Sequence, residues 1–265
     1  MELPKLFTTH ISCTLLIIIF RGDIMFAVLQ TVDLKSVFIR SKIQSQRITL
    51  PSGEAFFIVD ISCRKGKVPW KKLERCLGIL KKDVLLPDSI KIPDDIDITA
   101  FKPDIFPRLL LINSAVDYIM KDRKSESLCI FDESGIYARY IERLVNRFNS
   151  ISVITPYPEN YDAVSKKLME DYGFSLIVSS KGKCSDGTVI SHCCEVPLYF
   201  RGRIYTNEIK YLMNARVVTG QDIELPEEYE KLRPGNIGRL QFAAALYEKC
   251  RIEELGELRY SNFGS

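Results

Sequence analysis

Two short polar segments carry the groups that could bind or transform a small molecule. The first is the turn Asp132-Glu133-Ser134-Gly135, which follows the apolar run Ser127 to Phe131 and supplies two carboxylates and a hydroxyl. The second is Thr155, which ends the next apolar run. Parallel sheets bind ligands outside the carboxyl ends of their strands, so both segments would meet at one edge. The predicted ligand-contacting or cofactor-binding residues are therefore Asp132, Ser134, Gly135 and Thr155.

Amphipathic segments separate these apolar runs and indicate the fold that would position them. Apolar side chains recur at helical spacing from Tyr137 to Phe148, and again from Tyr161 to Tyr172, where Gly173 is a plausible C-cap. Each connection is long enough for a helix, so consecutive strands must run parallel, joined by right-handed crossovers. The pattern predicts an α/β fold for residues 105–265, a three-layer sandwich with a mostly parallel sheet.

A smaller α+β region is predicted for residues 25–104. Residues 25–62 have strand-like patterns interrupted by the turn signal Pro51-Ser52-Gly53, which predicts an antiparallel hairpin or meander. Residues 64–82 indicate an amphipathic helix. The proline-rich residues 83–107 read as a surface connector. In the later part of the chain, we expect a hairpin about Arg201-Gly202, a strand at 215–219 and a helix over 239–250.

The predicted helix around Trp70 has one apolar stripe and one strongly basic face. Its basic side chains include Lys71, Lys72 and Arg75. Such a face is typical either of a solvated helix or of a phosphate-contacting patch. Nucleic acid is not favoured as a partner, because aromatic interleaving and a nucleic-acid-binding motif are both missing. A protein-interaction module that uses the Trp70 helix remains one functional hypothesis.

Composition limits the class of protein and its partners. The chain has 265 residues, of which 46% are hydrophobic, and 37 basic residues nearly balance 34 acidic ones. This excludes general disorder and gives no global attraction to nucleic acid or an anionic membrane. Eight cysteines spread through predicted core elements indicate thiols in a cytoplasmic protein rather than a disulfide framework.

The first 24 residues are predicted to be an apolar amino-terminal extension or a loosely docked strand. Their apolar run, Ile11 to Phe20, is shorter than the roughly 20 residues that a membrane span needs. Translation could begin at Met25, where the strand-like pattern starts. A membrane partner is expected only if this run is an anchor.

The alternation from Ser127 to Thr219 resembles Rossmann-like dinucleotide-binding domains. The resemblance implies a nucleotide-type ligand at the carboxyl edge of the sheet. The motif Gly-x-Gly-x-x-Gly, which lets backbone approach a pyrophosphate, is absent, and the carboxylates of Asp132 and Glu133 would repel phosphate. The second strand ends in Thr155 rather than in the acid that contacts ribose hydroxyls. The resemblance therefore implies a degenerate nucleotide-binding scaffold rather than NAD binding in the familiar pose.

The same turn also looks like the first motif of haloacid-dehalogenase-type phosphatases. That resemblance would make Asp132 a nucleophile and Thr155 a phosphate ligand. Ser134 stands where the family has its general acid, and no acidic pair for magnesium follows the later strand at Val189 to His192. The alternative for Asp132 and Ser134 is helix N-capping, for which both residue types are suited.

Cys184, His192, Cys193 and Cys194 form the cluster with metal-ligand chemistry. Adjacent Cys193 and Cys194 on a strand would point to opposite faces, so no metal site is predicted. His10 and His192 are the only histidines and neither has an obvious nucleophile partner, which makes a serine or cysteine triad improbable.

The sequence favours a ligand-binding or regulatory protein on a degenerate nucleotide-binding scaffold. An NAD(P)-dependent oxidoreductase with an atypical phosphate loop and a protein-interaction module at Trp70 stay open as alternatives. The identity of the ligand or cofactor, the oligomeric state and whether the chain catalyses a reaction do not follow from these residues.

Overall fold

The computed structural model describes residues 10–12, 24–33, 42–63, 67–87, 89–121, 125–184, 186–192, 200–207 and 215–264. The chain divides into two compact units. The first contains residues 1–103 and 225–255, and the second contains residues 104–224 and 256–265. Residues 34–41 of the strand-like pattern predicted for 25–62, most of the apolar run Ile11 to Phe20, and both Cys193 and Cys194 lie outside the described residues.

A five-stranded mixed sheet forms the centre of the first unit. Its strands are β1 (His10–Ser12), β2 (Ile24–Asp33), β3 (Lys42–Thr49), β4 (Ala55–Cys63) and β5 (Val84–Leu85). Their order is β1-β3-β4-β2-β5. Strands β3 and β4 form the predicted hairpin, closed by a turn in which Gly53 donates its N–H to the Leu50 carbonyl. Residues 10–12 of the predicted extension pair with β3.

The predicted meander is wrong for β2, which pairs in parallel with β4 and β5. The reason is burial on both faces. Phe26, Ala27, Val28 and Leu29 are completely buried, which requires a central position in the sheet. The Phe26 ring stacks on Phe56 with centroids 5.0 Å apart.

The helices of the first unit are α1 (Trp70–Leu77), α5 (Glu227–Glu230) and α6 (Arg239–Cys250). Helix α1 buries Leu73 and Leu77 and continues only as a 3₁₀ turn over Gly78–Lys82, so the predicted helix is shorter than expected. Residues 83–107 do not form a mere surface connector, because Ile96 and Ile98 are buried in the core against α1 and the sheet.

Residues 225–255 were predicted in the second domain and instead pack with the first unit. Helix α6 has the predicted bounds, and its Phe242 meets Phe56 edge-on with centroids 5.6 Å apart. Its residues Ala243 to Leu246 are also completely buried. The apolar face of this helix therefore completes the core of the first unit.

A seven-stranded sheet forms the centre of the second unit. Its helices are α2 (Ile105–Lys121), α3 (Ile141–Leu144) and α4 (Asp162–Tyr172). Its strands are β6 (Ser125–Phe131), β7 (Phe148–Ile154), β8 (Ile177–Ser179), β9 (Asp186–Ser191), β10 (Arg201–Tyr205), β11 (Ala215–Gly220) and β12 (Phe263–Gly264).

The strand order of this sheet is β8-β7-β6-β9-β10-β11-β12. The first six strands are parallel and β12 is an antiparallel edge strand. Numbered along the chain, the parallel strands have the order 3-2-1-4-5-6, which is that of the doubly wound dinucleotide-binding fold. The predicted fold class, a Rossmann-like α/β sheet preceded by a small α+β region, is confirmed.

Alternate side chains of β6 pack into two apolar clusters, one on each face of the sheet. Leu128 and Ile130 pack into the larger cluster with α2, α3 and α4. Cys129 and Phe131 point to the other face, where they pack with Ile204 and neighbouring apolar residues. This alternation is that of a strand buried on both faces, as parallel sheets require.

Two local predictions in the second unit are wrong. The helix expected at 137–148 is a 3₁₀ turn at Ala138–Tyr140 followed by the single turn of α3. The hairpin expected about Arg201-Gly202 is instead part of the parallel strand β10. Gly202 lies opposite Gly187, and a Cβ at Gly202 would be 1.9 Å from the Gly187 carbonyl oxygen, so close strand approach explains the glycine.

Four cysteines, Cys63, Cys129, Cys184 and Cys250, are free thiols. Cys76 departs from the expectation of thiols because it is disulfide-bonded. Among the described residues, no helix has both the length and the apolar character needed to cross a membrane.

Candidate functional site

The candidate site is the carboxyl edge of the parallel sheet where the strand order reverses, between β6 and β9. Phe131 is paired with Ser191 at the ends of these strands. Asp132 and His192 therefore follow neighbouring strands at the point where open α/β sheets form a ligand crevice.

The Asp132 carboxylate is buried, with 1% of the residue exposed, and is surrounded by hydrogen-bond donors. Its Oδ1 accepts hydrogen bonds from the backbone N–H groups of Ser134 (3.1 Å) and Gly135 (2.9 Å). Its Oδ2 accepts one from the N–H of Tyr137 (2.9 Å). The Ser134 hydroxyl (2.9 Å) and the Tyr161 hydroxyl (2.6 Å) complete the set. Asp132 therefore fills the concave array of N–H groups that its own turn creates.

The Tyr161 hydroxyl remains a proton donor to this carboxylate. Burial is the main reason that the pKa of Tyr161 lies well above its ordinary value, and the charge of Asp132 raises it further. Tyr161 lies in the turn that leads into α4 and is completely buried. The turn after β6 and the turn after β7 are thus joined through one buried charge-assisted hydrogen bond.

Gly135 is held against the turn after β7. Its φ is +70°, and a Cβ there would lie 2.3 Å from Asn160 Nδ2 and 3.1 Å from Tyr157 Cβ. Asn160 also donates from Nδ2 to the Gly135 carbonyl at 3.2 Å. A side chain at Gly135 would therefore meet protein atoms of the turn after β7, so close packing and the positive φ together explain the glycine.

Thr155 lies at the same edge of the sheet, and its side chain forms a hydrogen bond within its own turn. The residue is 1% exposed, and its Oγ1 accepts a hydrogen bond from the Tyr157 N–H at 3.1 Å. Its own N–H donates to the Ser179 carbonyl. The structure brings Asp132, Ser134 and Gly135 into one turn and places Thr155 one strand away. Whether these four residues meet a ligand stays a prediction.

Glu133 is neutralised by an ion pair with helix α2. Arg108 Nη1 donates to Glu133 Oε2 at 2.9 Å, and Arg108 also pairs with Asp104 at 3.2 Å. Burial lowers the pKa of Arg108, but the hydrogen bond and charge of Glu133 and the charge of Asp104 raise it overall above its ordinary value. The repulsion of phosphate expected from Glu133 is thus partly offset.

A polar network at the ends of β9 and β10 was not predicted from the sequence. Asn207 Nδ2 lies 2.9 Å from His192 Nδ1 and donates to the Pro107 carbonyl at 2.8 Å. Asn207 Oδ1 accepts a hydrogen bond from the Tyr260 hydroxyl at 2.8 Å. Because the amide nitrogen can only donate, this orientation makes Nδ1 the acceptor of a neutral His192 ring with its proton on Nε2.

Backbone contacts position two members of this network, His192 and Tyr260. The Thr206 hydroxyl donates to the His192 carbonyl at 3.3 Å, and Thr206 is completely buried. A Cβ atom at Gly220 would lie only 2.1 Å from the Tyr260 ring, so the ring packs directly against the glycine backbone. Burial raises the pKa of Tyr260, which keeps its hydroxyl protonated as a donor to Asn207. Thr206 therefore binds the backbone of His192, and Asn207 binds its ring.

The described residues contain no group of three or more histidine, cysteine, aspartate or glutamate side chains arranged to hold a metal ion. Two members of the cluster considered from the sequence, Cys184 and His192, lie in the described part of the chain. The other two do not, so the structure adds nothing on their roles.

The basic face of the Trp70 helix is exposed at Lys71, Lys72 and Arg75. A cleft of about 360 Å³ lies beside this helix. It is lined by Pro69, Trp70, Lys71, Lys72, Pro93, Asp95 and Ile96. Hydrogen bonds from Lys81 and Lys82 lower the pKa of Asp97 to about 2, so this carboxylate partly offsets the charge of the two lysines that follow α1.

Comparisons with known proteins leave the family open. No family model and no curated protein matches the chain. Among solved structures, it is similar to an L-tryptophan dehydrogenase from Nostoc punctiforme, with 10% identity and a TM-score of 0.30, over 88% of this chain and 76% of that one. A similarity of this degree identifies neither family nor function, and the fold assignment rests on the strand order.

Proposed function

We propose that the second unit binds a small ligand at the carboxyl edge between β6 and β9, in a ligand-binding or regulatory role. The scaffold is of the nucleotide-binding type, but its pyrophosphate site is degenerate. The observation that carries the proposal is the occupation of the turn after β6 by the Asp132 carboxylate. The same fold without this internal anion would offer the N–H groups to a ligand phosphate.

Electrostatics and helix length both disfavour a dinucleotide here. A phosphate would have to displace the buried carboxylate of Asp132 or lie against it, and like charges repel strongly in a partly desolvated crevice. Helix α3 has only four residues, so the helix dipole that stabilises a pyrophosphate in dinucleotide-binding domains is weak or absent. We therefore expect a ligand that does not use a diphosphate for recognition.

The groups that favour ligand recognition lie on the other side of the crevice. His192, Asn207 and Tyr260 supply imidazole, amide and phenol groups in a fixed arrangement. Both Asn207 amide hydrogens and the Tyr260 hydroxyl hydrogen are already donated within this network. A ligand bound there would therefore mainly donate hydrogen bonds to the neutral oxygens of Asn207 and Tyr260, which favours a polar organic molecule over a phosphate ester.

The test is a thermal-shift and calorimetric screen of the full chain. The panel contains NAD(H), NADP(H), mononucleotides, nucleosides and unphosphorylated polar metabolites, each with and without magnesium. A ligand at 100 times its Kd stabilises the fold by about 2.7 kcal/mol, which a melting curve resolves. We expect no dinucleotide response and a response to an unphosphorylated compound. That response should be lost in Asn207→Ala and retained in Asn146→Ala, an exposed asparagine at the opposite edge.

The outcomes separate the alternatives. A dinucleotide response that disappears when Gly135 is replaced by a bulky residue would contradict the proposal and favour the NAD(P)-dependent oxidoreductase. A response that persists in Asn207→Ala would place the ligand elsewhere.

A protein-interaction role for the Trp70 helix is a second candidate, favoured by its exposed cations and the adjoining cleft. It predicts salt-sensitive binding of an acidic partner. Charge reversal at Lys71, Lys72 and Arg75 that leaves partner binding unchanged would contradict it.

A further inference from the structure

A cavity of about 350 Å³ in the first unit joins the β3–β4 turn to the end of helix α6. Its lining residues are Met25, Ser52, Gly53, Glu54, Lys249, Cys250 and Arg251. The volume is at the lower end of the range for small-molecule sites. All of these residues belong to the first unit, so the cavity is formed within that unit alone.

Glu54 brings an unsatisfied acceptor to this cavity. Its Oε2 is buried and has no hydrogen-bond partner among the described residues. A hydrogen bond from Ser52 is the main cause of the lowered pKa of Glu54, so the carboxylate is ionised at neutral pH. A buried, ionised oxygen without a donor is costly, and a cation or N–H group of a bound molecule would remove that cost.

Arg251 brings a guanidinium group from an unusual backbone position. It is the residue that follows α6, and its φ of 56° and ψ of 37° are left-handed. Among the described residues it is the only non-glycine residue with a positive φ. Glycine is the usual residue at this position of a helix end, so an arginine there is disfavoured by the backbone. Such an outlier points to a role for the side chain.

The guanidinium of Arg251 is available for a ligand, because in the described part of the chain it makes no hydrogen bond or ion pair. Lys249, by contrast, is already engaged. Its Nζ lies 2.6 Å from Asp83 and 5.7 Å from the centre of the Phe101 ring. Among the described residues, the cavity therefore presents one anion without an ion-pair partner, Glu54, and one cation without an ion-pair partner, Arg251.

We propose that this cavity binds a small zwitterion of the α-amino acid type. The ammonium group donates to Glu54 Oε2, the carboxylate accepts from the Arg251 guanidinium, and Met25 and Cys250 contact the apolar part. A simple anion would be repelled by Glu54, and a metal ion by Arg251. A molecule that carries both charges matches the pair, and the planar guanidinium suits a carboxylate.

The first experiment is isothermal titration calorimetry of the full chain with individual free amino acids. Each amino acid that binds is compared with its N-acetyl derivative and its methyl ester, which remove the ammonium charge and the carboxylate charge in turn. We expect both derivatives to bind at least roughly tenfold more weakly, as for the loss of one charge-assisted hydrogen bond. Absence of saturable binding by any free amino acid at millimolar concentration would overturn the proposal.

Variants then locate the site. Arg251→Gly removes the guanidinium and places the preferred residue in a left-handed position, so this variant should be at least as stable as the parent. We expect it and Glu54→Gln to weaken binding by roughly tenfold or more. Arg75→Gln removes an exposed arginine of the same unit and should leave binding unchanged. Binding that is equally strong in Arg251→Gly and Glu54→Gln would overturn the proposal, even if an amino acid binds the chain.

Discussion

The substitution Asp132→Asn tests whether the buried carboxylate of the second unit holds the fold or serves a ligand. Asparagine has the same shape but carries an amide nitrogen in place of one oxygen. If the amide oxygen faces Ser134 and Gly135, the nitrogen faces the Tyr137 N–H, and two donors then oppose each other. The hydrogen bonds that remain are no longer charge-assisted.

The expected loss of stability in Asp132→Asn follows from the energies of the hydrogen bonds around the carboxylate. An unpaired buried N–H costs about 1–3 kcal/mol, and hydrogen bonds to a charged group are roughly twice as strong as neutral ones. For the five donors around Asp132, we expect Asp132→Asn to reduce the free energy of opening of this turn by about 2–4 kcal/mol. This corresponds to roughly 30-fold to 700-fold more frequent opening.

Native-state hydrogen exchange is the suitable assay. The single tryptophan, Trp70, lies outside the second unit, so the assay should use probes within the turn itself. The amides of Ser134, Gly135 and Tyr137 should exchange faster in the variant by the factor given above. The control is Asp162→Asn, an exposed acid at the start of α4, for which we expect a change below about 1 kcal/mol.

A variant that is as stable as the parent, or more stable, would refute this reasoning. Residues kept for binding or catalysis are often destabilising, and their replacement then relieves strain. In that case Asp132 would have to be considered a ligand-contacting group, and the degenerate pyrophosphate site would lose its main support.

Two further predictions concern the same unit. Gly135→Ala should lower the free energy of unfolding by about 1–3 kcal/mol more than Gly173→Ala, and so give the lower Tm, because both glycines have positive φ but only Gly135 would bring a Cβ against Asn160. Equal melting temperatures would contradict the close contact. Cys184 should be alkylated before the buried Cys129, because their hydrogen bond lowers the pKa of Cys184 and, together with burial, raises that of Cys129. Cys129→Ala should move the midpoint of the Cys184 pH–rate profile upward, and an unchanged midpoint would contradict the pairing.

Helices with a full apolar stripe and an end signal could be predicted from the sequence. Helix α6 begins and ends where expected, and α4 ends at Gly173 in the left-handed conformation. The segment 137–148 shows the limit of this reasoning. A 3₁₀ turn and a single α-turn also place residues three or four apart on one face, so the apolar spacing does not distinguish them from a long helix.

Strand pairing was less predictable than strand position. β2 and β10 were expected in hairpins because local turn signals and short separations favour them. β2 pairs in parallel with β4 and β5, which follow later in the chain, whereas β10 pairs in parallel with β9 and β11, the strands directly before and after it. In both cases a local pattern does not show whether the pairing is parallel or antiparallel. Gly202 was interpreted as a turn residue, whereas its lack of a side chain allows β10 to lie close to β9.

The candidate site could be predicted in part. Three residues of the turn after β6 lie together as expected, because adjacent residues at a strand end share one edge. The hydrogen bonds that define the role of Asp132, however, depend on how the turn folds back on itself. The Asn207–Tyr260 hydrogen bond joins residues 53 positions apart and belongs to no motif, so no spacing in the sequence could reveal it.

The alternation of the chain between its two units has a consequence for synthesis on the ribosome. Helix α6, which completes the core of the first unit, ends at Cys250, and the edge strand of the second unit is Phe263–Gly264. Domains of multidomain proteins commonly fold in order, the amino-terminal one first, as they emerge. Here the first unit must wait for residues translated after most of the second, so both complete their folding late. The apolar strands of the first sheet would thus stay exposed while the second unit is synthesised, a period in which chaperone binding would matter most.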